Sequence, residues 1–337
     1  MEKETLRDTV HGSNFMDAMQ GNNIMVLDAI TSTIEQAVRS FLEDIKHFSL
    51  GLDVVQKILE KAEDYGIVML EDNFFQRMPC INPVAVLKGK NVAGVDGSAF
   101  SLRLYPLRLV IARSAVYCFS MCRGRQFSVK DPWRLTISIL RMSGNLEERL
   151  RKKTREVLVH VESVTVKELA EEYGHLLDVV IWDGPLYTKR FFKKFYTAIK
   201  ALSDRAITPI KVVKNSFSSR LTRLADVETL TDADLLSFYL RPNHRTSMFL
   251  FDGKLVRGIP KDLKPVFFYV KTQQRVVLRY EFPYWLLEEF GVDYILRLIA
   301  ADLALGDGFS YAISRADSIA KFSDEEKRYI AYRIFVV

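Results

Sequence analysis

Cysteine and histidine are both scarce. Three cysteines in 337 residues, Cys80, Cys118 and Cys122, form no even framework. That excludes a scaffold built on disulfides, and a Cys118/Cys122 pair alone falls short of a zinc ligand set. The five histidines, His11, His47, His160, His175 and His244, show no ligand spacing. No apolar run approaches the roughly 18 residues that a membrane span needs. The opening Met1-Glu-Lys-Glu lacks the form of a secretory leader. There is no Walker A pattern, no internal repeat and no low-complexity tract. Together these absences predict a soluble, cytoplasmic protein with reduced thiols and no membrane contact.

What is present is a large apolar fraction, 48%, with 27% charged residues and a net charge of +6. That is ample for one or two domains with a substantial core. The mildly basic balance permits an anionic partner without requiring one.

Two stretches share one design. Val92-Ala-Gly-Val-Asp-Gly-Ser-Ala-Phe100 and Leu177-Asp-Val-Val-Ile-Trp-Asp-Gly-Pro-Leu186 are apolar runs closed by Asp-Gly. Short Val- and Ile-rich runs ending in Gly or Pro read as buried strands. The spacing predicts that each strand ends at its aspartate and that Gly97 and Ser98 turn the chain. Asp96 and Asp183 then stand at the sheet's edge, where open sheets keep their binding sites. Two such carboxylates on neighbouring strands suit a hard cation.

Along the chain, apolar residues recurring every three or four positions predict a helix over 23–48 and a second over 52–65. Residues 100–105, 107–117 and 135–140 alternate like antiparallel strands. Residues 145–176, rich in Glu, Arg, Lys and Leu, predict one long helix or two stacked ones. A helix over 188–202, a strand from Pro209, a helix over 230–240, a hairpin at 265–283 and helices over 285–305 and 309–322 follow. The order predicts an α/β fold with a mixed central sheet flanked by helices. Residues 1–80 are expected to form a helical extension, serving as a dimer arm, a partner contact or plain core cover, and 81–337 the main domain.

Five motifs occur in order: Asp96-Gly-Ser, Trp182-Asp-Gly-Pro-Leu, Val213-Lys-Asn-Ser, Arg279-Tyr-Glu-Phe-Pro, and Gly308-Phe-Ser-Tyr with Arg315-Ala-Asp-Ser-Ile-Ala. In this the chain resembles the NurA nucleases, archaeal enzymes with an RNase H-like core. The resemblance covers roughly residues 85–337. It implies a manganese- or magnesium-dependent deoxyribonuclease, a 5′-3′ exonuclease and single-strand endonuclease acting in DNA end resection at double-strand breaks. It also implies a homodimer docked on the hexameric translocase HerA, in the archaeal cytosol or nucleoid.

The resemblance further implies a two-metal site in which Asp96 bridges the ions and Asp183 holds one of them. Two divalent ions stabilise both the attacking and the leaving oxygens of a phosphodiester. The third ligand is to come from the helix before Asp183, where Glu156, Glu162, Glu168, Glu171 and Glu172 compete. Glu162 borders the stripe Val157, Val161, Val164 and has the family's spacing to Asp183; Glu168 is the alternative. Asp317 falls where the family carries a histidine for the second ion, and Phe309 where it carries a tyrosine, with Tyr311 two residues on. Lys214 is placed to neutralise the scissile phosphate. Lys189, Arg190, Lys193, Lys214, Arg220 and Arg279 are the expected DNA contacts. Two features also admit plainer readings: Arg279 and Glu281 as a salt bridge, and Phe191, Phe192, Phe195 and Tyr196 as helix core. Two other functions compete, a degenerate nuclease fold that binds DNA or docks the translocase, and an actin-like ATPase. Against the ATPase, this chain has no Gly-Gly adenosine turn after Asp183.

Overall fold

The structure is a computed structural model that describes Gln36 and residues 51–335, except 106, 122–132, 142–145, 189–190, 215, 217 and 228. The chain divides into two compact units, Met1–Gln56 and Lys57–Val337. The helix expected over 23–48 lies, but for Gln36, outside the described residues, as do Lys189 and Arg190. No helix among the described residues is long and apolar enough to cross a membrane.

The second unit is organised on one mixed sheet. Its strands are β1 (Ile67–Met69), β2 (Phe75–Arg77), β3 (Asn91–Leu104), β4 (Leu107–Ser120), β5 (Trp133–Arg141), β6 (Val179–Asp183), β7 (Thr208–Val213), β8 (His244–Thr246), β9 (Phe249–Phe251), β10 (Pro265–Lys271) and β11 (Val277–Pro283). The described helices are α1 (Gly51–Ala62), α2 (Pro83–Leu87), α3 (Leu146–Tyr173), α4 (Phe192–Ser203), α5 (Arg220–Leu224), α6 (Asp232–Tyr239), α7 (Trp285–Leu305), α8 (Tyr311–Ala320) and α9 (Asp324–Phe335). Helix α7 is broken at Gly291, whose φ of 76° no helix interior adopts.

The sheet order is β1-β9-β10-β11-β7-β6-β3-β4-β5, with β2 and β8 attached beside β10. Strands β3, β4 and β5 are antiparallel neighbours, whereas β6 and β7 lie parallel to β3. The run β5-β4-β3-β6-β7, with α3 joining β5 to β6 and α4 joining β6 to β7, is the RNase H-like core. The remaining strands widen it. Both parallel strands are covered on two faces, so Val179-Val-Ile-Trp is buried throughout. Each fully buried Val or Ile of such a strand contributes about 1.5–3 kcal/mol by leaving water.

The structure revises the reading of the first motif. Asp96 lies inside β3 and does not end it, and Gly97 and Ser98 do not turn the chain. Residues 100–104 belong to the same strand. The reason is the partner: β4 pairs with β3 without interruption from Asn91↔Ser120 to Leu104↔Leu107, so the hairpin closes only after Leu104. What ends near Asp96 is the parallel ladder. Its last pair is Val95↔Trp182, and Asp96 and Asp183 are the next residues on each strand. Strands β1, β2, β8 and β9 are too short, at three residues each, to show a period in sequence.

Helix α8 crosses the β3–β4 face and is fastened at both ends. At its start the Ala312 N–H donates to buried Asp302 at 2.9 Å, and the Ser310 side chain caps Ile313. At its end Arg113 donates to the carbonyls of Ala320 and Lys321 at 3.1 and 2.5 Å. Between them the helix presses on Gly94, where a Cβ would sit 2.1 Å from the Ala312 carbonyl oxygen. Backbone on both sides leaves nothing to yield. Gly94→Ala is therefore expected to lift α8 and lower stability by about 1–3 kcal/mol. Urea unfolding checks this, and an unchanged midpoint would contradict the close packing.

Candidate metal centre

The register of β3, β6 and β7 brings three charged side chains to one end of the parallel ladder. Asp96 is 2% exposed. Its Oδ1 accepts the Gly97 N–H at 2.8 Å, and its Oδ2 accepts the Lys214 ammonium at 2.6 Å. Asp183 closes β6, where Gly184 takes a φ of 86° and donates its N–H to Asp183 Oδ1 at 2.9 Å. Lys214, just past β7, also reaches Asp183 Oδ2 at 3.6 Å. Both carboxylates thus touch one ammonium, so their oxygens lie no farther apart than those two contacts end to end.

The electrostatics follow from that crowding. Burial and the neighbouring Asp183 charge push the Asp96 carboxyl up to about 6, against the pull of Lys214. Burial alone would lower the Lys214 ammonium, but Asp183 and Asp96 override it and hold the amine above its ordinary value.

Glu162 comes from the buried side of α3 and is 6% exposed. Its Oε2 accepts the Trp182 indole N–H at 3.3 Å. It reaches the sheet because residue 97 is a glycine: a Cβ there would lie 2.5 Å from Glu162 Oε1 and 2.7 Å from Leu158 Cδ1. The glycine read in sequence as a turn former is instead needed for close approach. Burial pushes Glu162 up to about 8, opposed by Lys211 and reinforced by Asp96 and Asp183. Glu168, the alternative, pairs with Arg134 on the β5 side and does not join the group.

Lys211 was not foreseen. It is fully buried in β7, donates to the Asp183 carbonyl at 2.5 Å, and stands 3.2 Å from the Trp182 ring centre. Burial lowers its ammonium to about 7, although Glu162, Asp183, Glu281 and Asp96 all favour the charge. The available signal was a lysine inside Pro209-Ile-Lys-Val-Val, since central parallel strands are normally apolar throughout.

The remaining expected residues divide. Asp317 sits on α8, within the electrostatic reach of Lys214, and its carboxylate pairs with Lys321 at 2.6 Å. Phe309 lies 5.7 Å from the Lys214 ammonium across its ring. Tyr311 faces elsewhere, its hydroxyl 3.3 Å from that of Tyr117, so it does not replace a hydroxyl at Phe309. Lys193 is exposed on α4, while Phe191 and Phe195 are core. Arg279 is not a surface cation: at 4% exposure it pairs with Glu281 at 2.7 Å. Glu281 in turn accepts the Leu186 N–H at 2.6 Å, fixing the loop after Asp183.

A cleft of about 580 Å³ opens beside these groups, lined by Asp183, Lys214, Arg155, Arg220 and Arg279 among others. Its rim is ordered by buried Asp232, which accepts the Leu221 and Thr222 N–H groups at 2.8 and 3.0 Å and the Tyr269 hydroxyl at 2.7 Å. Among the described residues no three acidic, imidazole or thiol groups are gathered closely enough to form a finished metal cage. The fit to a hard divalent cation rests on the donor chemistry. Asp96 and Asp183 offer only carboxylate oxygens, and they already share one cation.

The family model of the NurA domain matches residues 90–322. The chain belongs to the NurA family. The NurA nuclease of Sulfolobus solfataricus is 13% identical and matches 87% of this chain and 93% of its own, with a TM-score of 0.51. A NurA structure bound to dAMP and manganese is 11% identical, with a TM-score of 0.54 over 89% of this chain and 95% of that one. Another, with manganese, is 12% identical with a TM-score of 0.52, covering 89% and 96%. At such identities the likeness shows the shared fold. Comparison with curated protein sequences gives no match.

The raised acids set a pH dependence for the metal-free protein. Unfolded Asp and Glu titrate near 3.8 and 4.5, below their folded values here. The folded state holds these protons more tightly. What the acids contribute to stability is therefore complete below the unfolded values and is lost as pH rises through about 6 for Asp96 and about 8 for Glu162. The Lys211 shift has the opposite sign and acts only above about 7. Glu162→Gln is therefore expected to gain stability over the unaltered chain as pH rises from about 4.5 towards about 7. Urea unfolding of both proteins across that range checks it; parallel curves would show that Glu162 is not held protonated.

Proposed function

We propose that this NurA family member is a divalent-metal-dependent deoxyribonuclease, with 5′-3′ exonuclease and single-strand endonuclease activity in DNA end resection. The observation that carries the reading is the meeting of Asp96 and Asp183 on the Lys214 ammonium, at the end of the parallel ladder. Asp96, Asp183, Glu162 and Asp317 are the residues that would hold Mn²⁺ or Mg²⁺. A cation bound there supplies Lewis acidity to the phosphodiester and to the attacking water.

The chain's own groups prepare that chemistry. Asp96 and Asp183 stand on rigid strands. Lys214, released from the carboxylates, has the charge and the position to meet a phosphate oxygen in the adjoining cleft. Glu162, held protonated in the metal-free chain, would have to give up its proton to serve as a ligand. Lys211 and the Arg279–Glu281 pair fix the strand end and loop around Asp183 and act as positioning residues.

Manganese-dependent degradation of labelled single-stranded DNA and duplex ends is the test. Asp96→Ala is expected to reduce the rate by about a hundredfold or more, since it removes a ligand and leaves Lys214 with Asp183 alone. One observation favours a second reading: Asp317, which falls where the family carries a histidine, is paired with Lys321, and among the described residues no three acidic groups are gathered into a finished metal cage. A degenerate nuclease fold that binds DNA or docks a translocase has the same features. Absence of degradation by the unaltered protein, alone and with a HerA-type hexamer, would establish that reading and overturn ours.

The proposal includes a homodimer working with a HerA-type translocase. Support for a second protomer comes from β5, an edge strand whose Leu135, Ile137 and Ile139 are 42%, 51% and 64% exposed. Apolar side chains in a row on a sheet edge mark a contact surface. Charging it with Ile137→Lys and Ile139→Lys is expected to convert the dimer to monomers in light scattering. A monomeric unaltered protein, or a dimer indifferent to both changes, would remove this support.

A further inference from the structure

The second unit carries another cleft besides the one beside Asp183. It has a volume of about 830 Å³ and lies between Glu63–Ile67 and Phe251–Gly258. Its two walls meet at close-packed backbone: Asp252 donates its N–H to the Gly66 carbonyl at 2.6 Å, and a Cβ on Gly66 would lie 2.7 Å from Gly253 N. The floor is therefore fixed.

Arg220 lines both clefts. Its guanidinium carbon lies over Phe251, 3.9 Å from the ring centre, and near the like charge of Arg279. No carboxylate within salt-bridge distance pairs with it among the described residues, and burial lowers its proton affinity. Glu281 and Asp232 favour its charge from a distance without pairing with it among the described residues, and such a cation, facing two openings, is a seat for an anion. Beyond it, Arg223, Lys254 and Arg257 are exposed around the second cleft and make no ion pair among the described residues. Five cations face three carboxylates there, and one of the three, Asp252, is taken up by Lys264. At the mouth stands Tyr65, 55% exposed. Unpaired cations following one another beside an open aromatic ring are what a single nucleic-acid strand needs, for its phosphates and for a stacked base.

We infer that a single DNA strand engaged at Asp183 and Lys214 continues over Arg220 into this second cleft. Arg223, Lys254 and Arg257 hold its phosphates there, and Tyr65 stacks on a base. The inference deepens the nuclease reading and rests on it, so the test separates the two. Binding is read without turnover, by fluorescence anisotropy of labelled oligothymidylates of about 4 and about 16 nucleotides, with calcium and across a salt series. The variant carrying Arg223→Gln, Lys254→Gln and Arg257→Gln is expected to bind the longer strand at least tenfold more weakly. Its slope of log affinity against log salt should fall by about two, near 0.7 for each phosphate no longer neutralised. The shorter strand, which fills only the cleft beside Asp183, should bind as before. Manganese-dependent hydrolysis of the p-nitrophenyl ester of thymidine 5′-monophosphate should also be unchanged. Tyr65→Ala should weaken the longer strand severalfold at unchanged slope, because stacking releases no counter-ions. Unchanged affinity and slope for the longer strand in the triple variant would overturn the groove, even with hydrolysis intact. Equal losses for both lengths would also overturn it. Failure of the unaltered protein to hydrolyse the ester would count against the nuclease reading and leave the anisotropy comparison to decide the groove.

Discussion

Two carboxylates side by side in a buried place repel each other, and Asp96 and Asp183 stay together because Lys214 lies between them. Much of the surrounding structure serves that meeting. The parallel pairing of β3 with β6 ends one residue before both aspartates, so the ladder itself aligns them. Lys211 ties the Asp183 carbonyl from below, and Glu281 ties the loop that follows. Removing a charge from such a group leaves its partner buried and uncompensated, which costs more than the pair's net contribution.

The same crowding explains why the centre is poised. Asp96 and Glu162 hold their protons more tightly than free side chains, and Lys211 holds its proton less tightly. Opposed shifts among neighbouring groups arise where desolvation is strong and full ionisation is not compensated. A divalent cation would supply the compensation, so binding and proton release are coupled. Helix α8, which carries Asp317 within the electrostatic reach of Lys214, has its position set by Gly94 below, Asp302 at one end and Arg113 at the other.

Local order was largely legible. Buried runs at 179–183 and 208–213, the hairpin at 265–283 and the long helix before Asp183 announce themselves through period and breakers. The misreading at Asp96 has a specific cause. Asp-Gly-Ser is a turn signal in isolation, but fourteen paired residues of β4 override a local preference of that size. The three-residue strands were invisible because a period of two needs more residues to appear. At the centre, Asp96 and Asp183 were identifiable, and Glu162 was one of five glutamates until the fold buried it and left Glu168 with Arg134.

The sequence by itself determined most of the longer elements, the α/β class and the two aspartates, because periodicity and residue chemistry are local properties of the chain. Tertiary structure alone decided which glutamate faces Trp182, that Lys211 is buried, that Arg279 pairs inward, and that Arg220 joins two clefts. Those outcomes depend on register and packing between residues far apart in the chain. Charge, burial and partner are properties of a neighbourhood, and no neighbourhood exists until the strands are aligned.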